Sequence, residues 1–135
     1  MHGLQRNLTV GEIAAQAIGI ADFLRQEGTR VDTMVVMGSG EPLENYDNVM
    51  AALRLLHEEY TIGLSYRGVT LSTSGIVPGI ERLAEEGIPI SLSISLHAPT
   101  DALRNEIMPV NRMYPLADVL RAARAYAERT KRRVT

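Results

Sequence analysis

The chain has 135 residues and a formal charge of −2, with 45% hydrophobic and 22% charged residues, an ordinary globular balance with no general basic field to draw in nucleic acid. It has no cysteine, which excludes disulfides, cysteine-held zinc or iron–sulfur clusters and thiol catalysis within it. The length suits one modest domain and falls short of the ~250 residues of a whole α/β barrel, and no apolar run suggests a signal segment or membrane span, so the expected setting is cytoplasmic.

The first periodic segment covers residues 8–27. Thr9 and Glu12 have capping-box spacing; Ile13, Ala14, Ala17, Ile20, Ala21 and Leu24 recur at helical intervals, and Gly28 stops the helix. Residues 31–37 read as a strand apolar on both faces, ending in the turn Gly38-Ser39-Gly40-Glu41-Pro42. A second helix is expected over 45–60, with Val49, Leu53 and Leu56 inward. A short strand follows at 68–72, then Thr73-Ser74-Gly75 and a third helix through residue 86.

The third strand, 88–96, alternates Ile90, Leu92, Ile94 and Leu96 with serines. In a barrel one strand face meets the helices and the other points inward, where small polar side chains can line a ligand cavity. A short helix near 101–106, a loop through residue 111 and a helix over 116–130 complete the pattern, and Arg133-Val134-Thr135 opens a further strand. The fold class is therefore α/β, with parallel strands alternating with helices in one incomplete unit spanning 1–135. Starting on a helix and stopping at a strand's first residues suggests a chain cut at both ends.

In parallel sheets and barrels, ligands sit at the carboxyl ends of the strands. Three such ends are polar here. At Gly38-Ser39-Gly40-Glu41-Pro42, two glycines permit close backbone approach and Glu41 offers a carboxylate suited to an ammonium or hydroxyl. A plain βα turn explains the same pattern, while a phosphate loop does not, because no lysine follows the glycines. At Ser72-Thr73-Ser74-Gly75, Ser74 is placed to cap the next helix and Ser72 is freer to face a ligand. At Ser95-Leu96-His97-Ala98-Pro99, His97 is a general base, a ligand contact or a turn histidine. No triad, carboxylate pair or metal constellation assembles, so no catalytic or metal residue is assigned; His2 and His57 read as surface residues. The basic stretch of Arg121, Arg124, Arg129, Lys131, Arg132 and Arg133 is either a solvated helix face with cations near its C-terminal dipole or a patch facing RNA.

Taken in order, these three turns resemble the radical S-adenosylmethionine (SAM) superfamily. They are most similar to the bacterial enzymes that methylate adenine C2 in 23S ribosomal RNA and some transfer RNAs. Residues 69–75, Ser95-Leu96-His97-Ala98-Pro99 and Ile107-Met108-Pro109-Val110-Asn111 match that family's pattern, and Gly3-Leu4-Gln5-Arg6-Asn7-Leu8 resembles the stretch after its cluster loop. The resemblance implies a partial radical-SAM (β/α) barrel, with residues 1–8 following an absent cluster loop. It implies that Gly40 and Glu41 hold the methionyl ammonium of SAM, that Ser72 meets the methionine or ribose portion, and that Ser95, Leu96 and His97 meet the ribose and adenine side. Arg104, Asn111 and Arg112 are placed near substrate on the same ground.

The family's CxxxCxxC motif, which binds a 4Fe–4S cluster, and its methyl-carrying cysteine have no counterpart here. The resemblance thus implies a parent enzyme acting on ribosomal and transfer RNA with SAM and a 4Fe–4S cluster, and a chain that is inactive alone. A related enzyme acting on adenine C8 and a cysteine-free binding module are the alternatives. Open sheet edges would make the chain self-associate, and no membrane partner is expected.

Overall fold

The computed structural model describes residues 5–135, so the resemblance at Gly3-Leu4 and the reading of His2 lie outside the described residues. Helix α1 (Val10–Gln26) begins with a complete capping box. Thr9 Oγ1 accepts from Glu12 N–H, and the Glu12 carboxylate accepts from Thr9 N–H. Gly28, at φ +73°, ends the helix in the left-handed region.

Strands β1 (Met34–Val36), β2 (Val69–Thr73) and β3 (Ser91–Ile94) form a parallel sheet in the order β1-β2-β3. Helices α2 (Tyr46–His57) and α3 (Val77–Glu85) connect them. α4 (Asp101–Ile107), a short 3-10 turn (Pro109–Arg112) and α5 (Leu116–Thr130) follow β3. The expected further strand is present as a parallel bridge of Val134 to Leu92, continued by Ile94 N–H donating to Thr135 O at 2.8 Å.

The pairing register sorts the side chains into two sets. Met34 is level with Val69, and Val36 with Leu71 and Leu92, all toward the helices; Val35, Thr70 and Ser91 share the opposite face, as do Ser72 and Ser93. The helix-facing set meets α2, α3 and α5 in one core containing Val49, Leu53, Ile80, Leu83, Val119 and Tyr126. On α5, Val119, Ala122, Ala123 and Tyr126 recur at helical spacing, and the Tyr126 hydroxyl donates to Ile90 O at 2.7 Å. Burial pushes that hydroxyl up to about 12, so it remains a donor at neutral pH.

Two packed glycines fix how the layers approach. A Cβ on Gly68 would lie 2.3 Å from Asp32 O, and one on Gly79 would lie 2.7 Å from Leu43 Cβ. Gly79 thereby seats α3 directly on the turn that leaves β1.

Three differences from the sequence reading have physical causes. β1 is shorter than residues 31–37, since its pairing with β2 begins only at Met34. Ile20, one of the residues recurring at helical spacing in α1, is 58% exposed, because α1 packs on α2 through a narrower face that buries Ala14 and Ala21. Ser74 is not the cap of α3. α3 starts at Ile76 with no side-chain cap, Thr73 Oγ1 accepts from Gly75 and Ile76 N–H within the turn, and Ser74 turns to Glu41.

Candidate SAM-binding cleft

Residues 38–41, 72–74 and 95–97 leave the carboxyl ends of β1, β2 and β3 side by side. Between them lies an open cleft of about 240 Å³, bordered by Met37 and Met108, to which Gly40, Glu41, Ser72, Ser95 and His97 all contribute. Leu96 does not line it; its side chain packs on the core, and only its backbone belongs to the turn. Among the described residues a larger hollow of about 430 Å³ lies along the outside of α5, but a single helix lines it and no polar groups converge there from separate elements.

Glu41 organises the first two turns. Its Oε1 accepts from Leu43 N–H at 3.0 Å, and its Oε2 accepts from both the N–H and the hydroxyl of Ser74 at 2.7 Å. The carboxylate that reads in sequence as a ligand group is therefore also the clasp between the β1 and β2 ends. Oε1 carries a single bond and keeps capacity for a second donor.

Gly40 contrasts with Gly68 and Gly79. A Cβ built on it meets nothing within 4 Å, and its φ lies outside the left-handed region. Neither packing nor backbone conformation requires glycine here, whereas a ligand lying against the backbone would. His97 is exposed and left-handed, φ 58°, at the far side of the cleft. That conformation is uncommon for a residue with a Cβ and concentrates at functional sites.

Arg104 and Asn111 do not face a substrate, because both are buried, at 0% and 1% exposure. Arg104 Nε donates to Leu96 O at 3.1 Å, Nη1 to Asn111 Oδ1 at 2.5 Å and Tyr114 O at 3.3 Å, and Nη2 to Ser74 O at 2.5 Å. Asn111 in turn donates to Asp101 Oδ1 at 2.9 Å. Sequence reasoning missed this because polar side chains beside a ligand turn read as solvent-facing; the available signal was Arg104 spaced between two helix-end polar residues, Asp101 and Asn111. Arg112 is exposed. The basic stretch does not form one patch: Arg121 pairs with Asp118 at 2.6 Å, and Arg132 turns inward to Arg67 O and Ser91 Oγ, each at 3.0 Å.

A parallel α/β sheet with a glycine- and hydroxyl-lined cleft across three adjacent strand ends is the place where α/β proteins hold their ligands. The sequence matches the Radical SAM superfamily over residues 2–135, and the chain belongs to that superfamily. It is 60% identical over 133 residues to a probable dual-specificity RNA methyltransferase RlmN of Symbiobacterium thermophilum, covering 98% of this chain and 36% of that protein. It is 53% identical over 138 residues to a protein of the same name from Chloroflexus aurantiacus, covering 98% and 37%. The crystal structure of a radical SAM methyltransferase from Sphaerobacter thermophilus superposes with a TM-score of 0.93 at 46% identity, covering 98% of this chain and 39% of that one. The chain thus spans little more than a third of the length of the curated relatives it matches.

The superfamily uses SAM and a 4Fe–4S cluster. With no cysteine, the chain holds none of the cluster's cysteine ligands. The cleft does fit part of SAM. It offers an acceptor with spare capacity for a cationic ammonium, hydroxyls for a ribose and a backbone free of Cβ atoms. Its volume is below the roughly 300–1,000 Å³ of whole ligand sites.

Proposed function

We propose that this chain supplies part of the SAM-binding face of a radical SAM methyltransferase that modifies C2 of adenine in 23S ribosomal RNA and some transfer RNAs. The observation that carries the reading is convergence. Five of the six residues chosen from sequence line one cleft at the carboxyl edge of the sheet, in a chain 46% identical to a radical SAM methyltransferase of the same fold.

In this reading Gly40 and Glu41 receive the methionyl ammonium, the glycine by letting the backbone come close and the carboxylate by charge. Ser72, on the inward face of β2, meets the methionine or ribose portion. Ser95, the Leu96 backbone and His97 meet the ribose and adenine. Bound SAM supplies the radical and the methyl group; these residues bind and orient it. The relatives' names support the RNA partner, and a cytoplasmic setting goes with that reading. Alone, without the cysteines that hold the cluster, the chain is inactive and its affinity for SAM is weak.

A chimera tests this, with the chain replacing the matching segment of the Symbiobacterium thermophilum relative. Purified without oxygen, it is expected to cleave SAM on reduction and to methylate adenine C2 in a 23S ribosomal RNA fragment, as the unaltered relative would in parallel. A chimera that assembles its cluster but leaves SAM intact contradicts the reading. Methylation at C8 would redirect the substrate assignment.

A further inference from the structure

We propose that Arg104 is the positioning residue of the cleft, a buried cation that sets the spacing of the turns meeting SAM without touching SAM itself. The inference rests on the reading of the cleft as a SAM site.

The turns past the strand ends have few ladder bonds to hold them. Ser95 N–H still donates to Thr73 O at 2.8 Å, but among the described residues no backbone bond joins the β2 and β3 turns beyond that point. Arg104 bridges them from behind, since one planar guanidinium donates to Ser74 O in the β2 turn and to Leu96 O in the β3 turn. The same group ties both to the segment after α4 through Asn111 and Tyr114. Its fork supplies donors in several fixed directions at once, which a lysine ammonium on a flexible stem cannot do.

The charge arrangement explains why an arginine tolerates complete burial here. Among the described residues no carboxylate bonds to it, yet one stands a single residue away on each side. Glu41 grips the N–H and hydroxyl of Ser74 while Arg104 grips the carbonyl of the same residue. On the other side Asn111 accepts from Arg104 and donates to Asp101. Ser74 is thus clamped between an anion and a cation through its two flanking peptide units, so the Glu41 carboxylate, Ser74 and the β3 turn hold one relative position. Gly75 allows this approach: it lies at φ +103°, and a Cβ there would sit 3.3 Å from Arg104 Nη2 and 3.0 Å from Val119 Cγ2.

A merely structural arginine would change stability and leave the affinity of the folded protein alone; a positioning arginine changes affinity in protein that is still folded. The experiment titrates ¹⁵N-labelled chain with SAM and follows backbone amides, for the unaltered chain and for Arg104→Lys, with thermal unfolding of each measured in parallel. The unaltered chain is expected to show saturable shifts at residues 38–41, 72–75 and 95–97. Folded Arg104→Lys is expected to bind SAM about tenfold more weakly, with faster hydrogen exchange at the Ser74 amide, because small misplacements of binding groups are costly. Should the lysine variant not fold, Asn111→Ala decides. It keeps the guanidinium but removes one of its acceptors, with an expected loss of about threefold. Unchanged SAM affinity in the folded variant, with the unaltered chain responding at its cleft, overturns the role of Arg104 alone. Absence of any saturable cleft response in the unaltered chain overturns the SAM reading and this inference with it.

Discussion

On the helix-facing side of the sheet, Val69, Leu71, Ile90 and Leu92 keep 1% or less of their surface exposed, whereas on the opposite side Val35 remains 55% exposed, and Met37, just past the end of β1, 65%. The helices of this chain complete the first face, and among the described residues nothing covers the second. The glycines divide the same way. Gly68 and Gly79 are held to glycine by backbone and side-chain atoms closer than 3 Å, and Gly40 by nothing among the described residues. One side of the sheet is therefore specified by packing, whereas nothing among the described residues specifies the other, with the cleft at its carboxyl edge.

The sharpest way to break this contrast is to cut into the packed face. Leu71→Ala is expected to cost about 2–5 kcal/mol, enough to unfold much of so small a unit, whereas Ser72→Ala next to it should leave the melting temperature almost unmoved. Similar losses at both positions, read by thermal or urea unfolding, would contradict the division. Gly79→Ala should come next, at about 1–3 kcal/mol, because the added methyl drives into Leu43 where α3 sits on the β1 turn.

The open face permits a smaller and different test. β1 is an edge of the three-stranded sheet and Val35 projects from it uncovered. We expect the chain to self-associate through such edges. Val35→Lys should then lower the sedimentation coefficient toward the monomer value while changing stability by no more than about 0.5 kcal/mol. A chain that sediments as a monomer before the change removes the premise.

The smallest effect lies away from both faces, at the start of α1. The Arg6 hydrogen bond, with the Thr9 backbone N–H, holds the Glu12 carboxyl down to about 2. Bonds from Leu116 N–H and then Asn111 lower that of Asp101 as well. Both are depressed relative to the unfolded chain, near ~4. Their contribution is thus complete above that value and is lost as pH falls through it toward about 2 for Glu12. An acid titration followed by carboxyl NMR should show α1 fraying in that window; a Glu12 carboxyl titrating at its ordinary value would contradict the capping geometry.

Much of this was legible because it is local. Thr9 and Glu12 announce their capping box by spacing alone, α5 has the bounds that its periodicity suggests, and the serine alternation in β3 places Ser91 and Ser93 opposite the core residue Leu92. The strand signalled by Arg133-Val134-Thr135 does pair with β3. What stayed hidden depends on residues far apart in the chain. Ser74, the hydroxyl best placed by spacing to cap α3, is claimed by Glu41, 33 residues earlier, and α3 starts without a side-chain cap. Arg104 and Asn111 are ordinary polar residues in sequence; only the approach of three turns reveals them as a buried node.

The cleft's assignment is tested most directly by Gly40→Val, followed by calorimetric titration with SAM. Among the described residues no atom lies within 4 Å of a Cβ built at Gly40, whereas a ligand lying on that backbone would meet it. We expect an unchanged melting temperature and SAM binding lost in the variant while the unaltered chain binds, if weakly. A variant that binds SAM as well as the unaltered chain would show that the ligand does not lie on the Gly40 turn, and would remove the basis for reading this edge of the sheet as the SAM site.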